Sequence, residues 1–197
     1  MLPVFATNLI DLYVLEISSA IFLLQEVISA LTRTRAPDAK RHDRGSGFVV
    51  IFSVFMGISI GINTAFSAVE FAISQERMLI FGIGIFLILA GVAFRGYSIW
   101  VLGKFFTTTV SIQPGQTVIE KGPYRYIRHP SYSGAFLSFL GFGLTLTNWL
   151  SLGVVILGTA IGYGYRVYIE EQTLVAGLGQ PYRDYIKRTK RFIPFVF

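Results

Sequence analysis

MLIFGIGIFLILAGVAFRGYSIWVL, residues 78–102, carries a single charged side chain, Arg95. A helix needs roughly 20 mostly apolar residues to cross about 30 Å of hydrocarbon, so this stretch decides the class of the fold. Two earlier stretches repeat it, Leu9 to Leu31 and Phe48 to Val69, each ended by charge or by Gly and Pro. The first is too long and too acidic for a cleaved signal peptide, has no basic leader, and is expected in the mature chain. Downstream, the apolar run from Tyr132 to Tyr168 is interrupted at Thr147-Asn148-Trp149. That pattern predicts two antiparallel helices, the fourth of them short, joined by a tight polar turn with an interfacial Trp. The expected fold is all-α, an integral membrane bundle of five transmembrane helices.

Composition agrees. The 197 residues are 53% hydrophobic, 15% aromatic and 14% charged, with mean hydropathy +0.60, far from an ordinary soluble domain. Five helices leave room for one domain over residues 1–197, with 1–77 as scaffold helices and 95–194 carrying any site. The absence of cysteine excludes disulfides, thiolate nucleophiles and Cys-ligated metal. The two histidines, His42 and His129, lie in unrelated segments, so no metal is expected.

Basic residues set an orientation. Arg33, Arg35, Lys40, Arg41 and Arg44 fill the first loop, Lys104, Lys121, Arg125 and Arg128 the third, and Arg183, Lys187, Arg188, Lys190 and Arg191 the tail. The second loop, Glu70 to Arg77, has one basic residue against two acids, and the turn at Asn148 has none. The positive-inside rule then predicts an outward N-terminus, five crossings and a cytoplasmic C-terminus. The sequence pI of about 9.7 reflects topology and attraction to anionic headgroups of the membrane lipids. No nucleic-acid motif is present.

Chemistry-bearing residues gather in one connector. Gly122-Pro123-Tyr124-Arg125-Tyr126-Ile127-Arg128-His129-Pro130-Ser131-Tyr132-Ser133-Gly134 lies between apolar stretches and is answered downstream by Arg166-Val167-Tyr168-Ile169-Glu170-Glu171. Pro130 suits the first turn of a helix and, with Arg128, restrains the backbone that aims His129. Arg166 and Glu170, four apart, share a helix face. They form either a surface ion pair or a boundary site whose planar guanidinium meets a carboxylate brought in from outside. Glu171 points about 100° away from Glu170. The tyrosines at this level fit an aromatic belt or a pocket lining. Arg95 at membrane depth calls for a partner, for which Glu26 is the candidate. Helix glycines read as close-packing positions, except Gly162 and Gly164, which stand near enough to Arg166 to open space for a ligand.

With Leu102-Gly103-Lys104-Phe105-Phe106, Gly115-Gln116-Thr117-Val118-Ile119 and Leu178-Gly179-Gln180-Pro181-Tyr182-Arg183-Asp184-Tyr185 added in order, these blocks resemble the isoprenylcysteine carboxyl methyltransferase family, in its short prokaryotic form. The resemblance covers about half the chain. It implies S-adenosylmethionine as cofactor, bound in a pocket at the cytoplasmic membrane face, and methyl transfer to the carboxylate of a lipophilic substrate that enters from the bilayer. On this likeness Gln116, Thr117, Val118 and Ile119 line the cofactor, Tyr124 packs on it, and His129, Pro130, Ser131 and Tyr132 close round it. Glu170 completes that site. Arg166 faces the substrate carboxylate, and His129 stands beside it as the second catalytic candidate. Relatives often have His where this chain has Gln116. Three readings compete: an NADPH-dependent membrane reductase of the sterol reductase type, a phospholipid N-methyltransferase, and a non-catalytic membrane scaffold.

Overall fold

The computed structural model describes residues 1–32, 40–41 and 43–193. Arg33, Arg35 and His42 of the first loop, and Pro194 at the end of the expected site region, lie outside the described residues. The long helices are α1 (Leu9–Thr32), α2 (Ser46–Ser67), α3 (Arg77–Leu102), α4 (Pro130–Thr145) and α5 (Trp149–Leu178), followed by a short α6 (Gln180–Arg188). Four of them, α1, α2, α3 and α5, are long and apolar enough to cross a membrane. The 16 residues of α4 rise about 24 Å, short of a full crossing. The five expected helices are therefore present, with the fourth abbreviated.

Antiparallel seams build the bundle. Helix α3 lies along α4, α2 along α5, and α4 against α5, while α1 packs on α3. Small residues permit the close approach. A Cβ on Gly134 of α4 would stand 2.7 Å from the Arg95 backbone nitrogen, and one on Gly84 of α3 would stand 2.7 Å from the Gly141 carbonyl oxygen. Gly158 of α5 faces the Ser53 carbonyl of α2 in the same way, at 2.6 Å. Gly162 belongs to this seam too, its missing side chain filled by Val50 and Ser53 of α2. The expectation that it opens ligand space is corrected: the gap is taken by a helix. Outward faces of α1, α2 and α3 show Ile10, Ile17, Leu24, Phe55 and Phe86, as lipid contact requires.

The two ends differ in chemistry. At one, Thr147 adopts φ 48°, and Asn148 caps α5 by accepting from the Ser151 amide at 3.1 Å while donating to the Ala68 carbonyl at 2.9 Å. This turn also pairs with the α2–α3 connection through Ile73 N–H to the Thr147 carbonyl. Trp149 is exposed beside it. At the other end, a two-stranded antiparallel ribbon pairs β1 (Lys40–Arg41) with β2 (Ser111–Ile112), drawing the first loop onto the α3–α4 connector. The tail docks on the same connector: the Arg128 and His129 amides donate to the Lys190 and Arg191 carbonyls at 2.7 and 3.1 Å, and the Lys190 amide returns to Tyr126 at 3.0 Å. The Tyr185 hydroxyl donates to the Tyr124 carbonyl at 2.6 Å.

At 30 residues, α5 is about 45 Å long, well beyond the hydrocarbon thickness. Its last turns stand clear of the bundle and carry Glu170, Glu171 and Leu174 into the connector and tail.

Candidate functional site

Between the connector, the last turns of α5 and α6 lies a cleft with about 800 Å³ of empty space, open solvent at its mouth included. Gln116, Thr117, Val118, Ile119, Tyr124, His129, Ser131, Tyr132, Arg166 and Glu170 all line it. Pro130 does not: it is fully buried at the first position of α4, where it sets the helix start beneath the cleft. Arg128, Leu174, Tyr182 and Tyr185 complete the wall.

The charged side chains of the cleft are held by specific partners. Tyr132 donates its hydroxyl to Glu170 Oε2 at 2.6 Å and accepts from Arg166 Nε at 3.2 Å. Arg166 and Glu170 thus communicate through a phenol rather than as a direct ion pair. Glu171 faces the other way: it accepts from Arg128 Nε at 2.9 Å and Arg191 Nη2 at 2.9 Å, and lies 3.3 Å from His129 Nε2. One carboxylate looks into the cleft, and its neighbour ties the connector to the tail. The His129 ring is buried and stacks on Tyr132, with centroids 5.6 Å apart and planes 10° from parallel. Gln116 Oε1 accepts from the Gln113 amide at 2.9 Å, closing a turn through Gly115 at φ 69°. The side chain therefore shapes the loop whose backbone borders the cleft.

Burial pushes the phenols of Tyr124 and Tyr182 well above their ordinary range, and the charge of Glu170 pushes the same way. Both stay neutral at physiological pH, as hydrogen-bond donors and flat apolar walls. The guanidinium of Arg166 is buried, with Nη1 donating to Asp43 Oδ1 at 2.6 Å and Ser46 Oγ at 3.1 Å, and Nη2 donating to the Thr108 carbonyl at 2.8 Å. Partial burial raises the Asp43 carboxyl pKa, but the Ser46 hydrogen bond, the Arg166 charge and the Gly47 and Val110 amides outweigh that and hold it below the usual value.

A second groove meets the first at Arg166, Tyr132 and Phe106 and opens between α1 and α2. Its sides are Ser29, Val50, Ile51 and Tyr163, and at its floor Arg95 donates Nη2 to Glu26 Oε2 at 2.7 Å and Nη1 to the Ser131 carbonyl at 3.0 Å. The expected Arg95–Glu26 pair is present, and it also fastens the start of α4. Among the described residues no three His, Asp or Glu side chains are grouped to hold a metal ion.

Sequence reasoning missed Asp43, the acid that pairs with Arg166. The signal for it was an Asp three residues before Ser46 at the head of an apolar run, a helix-capping pattern within an otherwise basic loop. It also missed Glu171 as a hub, because Arg128 and Arg191 reach it from segments remote in sequence.

Comparison with known proteins converges on the same stretch. The model of the isoprenylcysteine carboxyl methyltransferase family matches residues 83–176. Protein-S-isoprenylcysteine O-methyltransferase of Tribolium castaneum is 31% identical over 116 residues, 58% of this chain and 41% of that protein. The Schizosaccharomyces pombe protein of that name is 29% identical over 109 residues, 48% of this chain and 46% of that protein. A solved structure, that of the eukaryotic intramembrane Ras methyltransferase isoprenylcysteine carboxyl methyltransferase without a monobody, superposes with a TM-score of 0.57 at 27% identity over 76% of this chain and 52% of that one. The chain thus spans between 41% and 46% of the length of these two relatives. The matched residues run from α3 through the connector and α4 to the last turn of α5, the stretch that supplies most of the cleft, and over that stretch the chain is similar to the isoprenylcysteine carboxyl methyltransferase family.

Proposed function

We propose that the cleft binds S-adenosylmethionine and that the protein methylates the carboxylate of a lipophilic, isoprenylcysteine-like substrate at the cytoplasmic membrane face. The observation that carries this reading is the Glu170 carboxylate, fixed by Tyr132 at 2.6 Å and turned into a cleft walled by neutral tyrosines and by the loop 116–119. The residues present fit the cofactor: a carboxylate to accept from its amino or hydroxyl groups, backbone amides and carbonyls along the loop, and flat phenols for its base. When bound, it supplies a methyl group already activated by the positive sulfonium.

The chain's own residues then need only position and desolvate. A carboxylate is ionised at neutral pH, so neither a general base nor a covalent nucleophile is required, and alignment accounts for most of the acceleration. Arg166 stands where the cleft and the lateral groove meet, suited to hold the acceptor carboxylate in line. His129, its Nε2 turned to Glu171, serves as a fixed wall that keeps Tyr132 in register. Thr173, Leu174 and Tyr182 exclude water from the cleft. A lipid tail lies in the groove between α1 and α2, against Val50 and Ile51.

The cytoplasmic assignment rests on charge. Lys104, Lys121, Arg125, Arg183, Lys187 and Arg188 gather at the cleft end, whereas the opposite end offers Arg77, whose guanidinium donates to the Leu2 carbonyl.

Calorimetry with S-adenosylhomocysteine and with NADPH, beside a methyl-ester assay on N-acetyl-S-farnesylcysteine, tests the reading. Binding of the first nucleotide and base-labile methyl incorporation are the expected results. NADPH binding alone would replace it with a reductase.

A further inference from the structure

Arg166 meets the groove with four of its five N–H groups engaged: Nε on Tyr132, Nη1 on Asp43 and Ser46, and Nη2 on Thr108. With these partners in place, one N–H of Nη2 is left for an incoming anion, and the Arg166–Asp43 pair is electrically neutral. A two-pronged grip on a carboxylate pairs Nη2 with either Nε, here bound to Tyr132, or Nη1, here bound to Asp43, and the partly exposed Asp43 is the partner that can be displaced. Resting on the function proposed above, we infer that Asp43 is an internal stand-in for the substrate carboxylate, occupying Arg166 Nη1 and giving it up when the substrate acid arrives.

The surroundings of Asp43 suit it to leave. Its side chain is 23% exposed, against 7% for Arg166, so it sits on the open side of the pair. It precedes α2 rather than lying within it, and it already accepts from Ser46 Oγ at 2.8 Å, the Gly47 amide at 3.3 Å and the Val110 amide at 3.4 Å. The two amide bonds are long, so on leaving Arg166 the Asp43 carboxylate gives them up for water on its open side. Arg166 has no such option: it cannot shed its proton and is buried, so whatever removes Asp43 must bring another anion. Exchanging one carboxylate for another conserves charge at the guanidinium, which keeps the exchange close to thermoneutral and makes a neutral lipid a poor competitor. The stand-in comes from the first loop, held to the connector by the pairing of Lys40–Arg41 with Ser111–Ile112 and lying outside the family-matched residues 83–176. Acceptor affinity is on this view set partly by a segment outside the matched residues.

The test replaces the charge and keeps the shape. In Asp43→Asn the amide oxygen can still accept from Gly47 and cap α2, while its hold on Arg166 weakens. An equilibrium that keeps Arg166 occupied lowers apparent substrate affinity by the occupied fraction. The KM for N-acetyl-S-farnesylcysteine should therefore fall about three- to tenfold with S-adenosylhomocysteine binding unchanged. A KM that stays or rises overturns the inference, as does a loss of kcat without a fall in KM, which would make Asp43 an aligning residue. Hydrogen exchange on the unaltered protein needs no variant: adding the same acid should speed exchange at the Gly47 and Val110 amides as Asp43 withdraws, and unchanged or slowed exchange there refutes displacement. The exchange measurement reads Asp43 with the acid alone and the methyl-ester assay reads turnover, so either reading can fail while the other stands.

Discussion

Glu170 and Glu171 are adjacent in sequence and opposite in role. Glu170 is held by Tyr132 and faces the cleft, whereas Glu171 draws together Arg128, His129 and Arg191 from the connector and the tail. Glu170→Ala should weaken S-adenosylhomocysteine binding at least tenfold, about 1.4 kcal/mol or more, with little change in the melting temperature. Glu171→Ala takes the carboxylate partner from the Arg128 guanidinium, which keeps its bonds to the Ile186 and Thr189 carbonyls, and should destabilise the fold by on the order of 3 kcal/mol, with a smaller effect on cofactor affinity. Calorimetry and thermal unfolding in detergent separate the two, and equal binding losses would contradict the division. Tyr132→Phe removes the phenol that links Arg166 to Glu170, and a loss of roughly 1 kcal/mol in cofactor binding is expected. If that variant binds like the parent, the phenol is not what orients the acid. The opposed directions of the two acids were legible from helical periodicity alone. Their partners were not, because Arg128 and Arg191 come to Glu171 from chain positions whose proximity only the folded tail creates.

Helices are where the sequence was most readable, since lipid solvation writes long apolar runs that end at charge, Gly or Pro. The expected start of the third helix at Met78 and its end at Leu102 differ from α3 by one residue. The fifth ran further than its apolar run suggested, because beyond Tyr168 it is supported by α6 and the connector instead of by lipid, and polar side chains no longer argue against helix there. Gly162 was misread for a related reason: nothing in a single helix says whether a missing side chain faces a ligand or a neighbouring backbone. The seams can be tested at two contrasting glycines. Gly134→Ala drives a Cβ into the Arg95 backbone of α3 and should destabilise the bundle by about 1–3 kcal/mol. Gly153→Ala, whose new Cβ meets nothing within 4 Å, should be neutral or stabilising by up to about 1 kcal/mol. Unfolding temperatures of the two variants in one detergent give the comparison, and equal shifts would mean that the α3–α4 seam is looser than its geometry.

At the scale of the whole molecule, the bundle has one end built for chemistry and one built as a clamp. The ribbon, the connector, the end of α5 and the tail meet at the first, carrying most of the basic residues; the Asn148 turn and the α2–α3 connection meet at the second. Basic residues near helix ends stay on the cytoplasmic side during insertion, so the charge asymmetry and the site geometry together require the cleft, the first loop and the tail to share one face. The natural absence of cysteine makes this directly measurable, because each introduced thiol is the sole target of an impermeant maleimide. Lys40→Cys and Arg188→Cys should react only when the cytoplasmic face is exposed, and Trp149→Cys, at the exposed start of α5, only from outside. Positions 40 and 188 are 148 residues and an even number of crossings apart if α4 and α5 act as a hairpin that returns to its starting face. Labelling of 40 and 188 from opposite faces would mean an odd number of crossings between them, and would remove Asp43, and the stand-in it is proposed to provide, from the face where Arg166 waits.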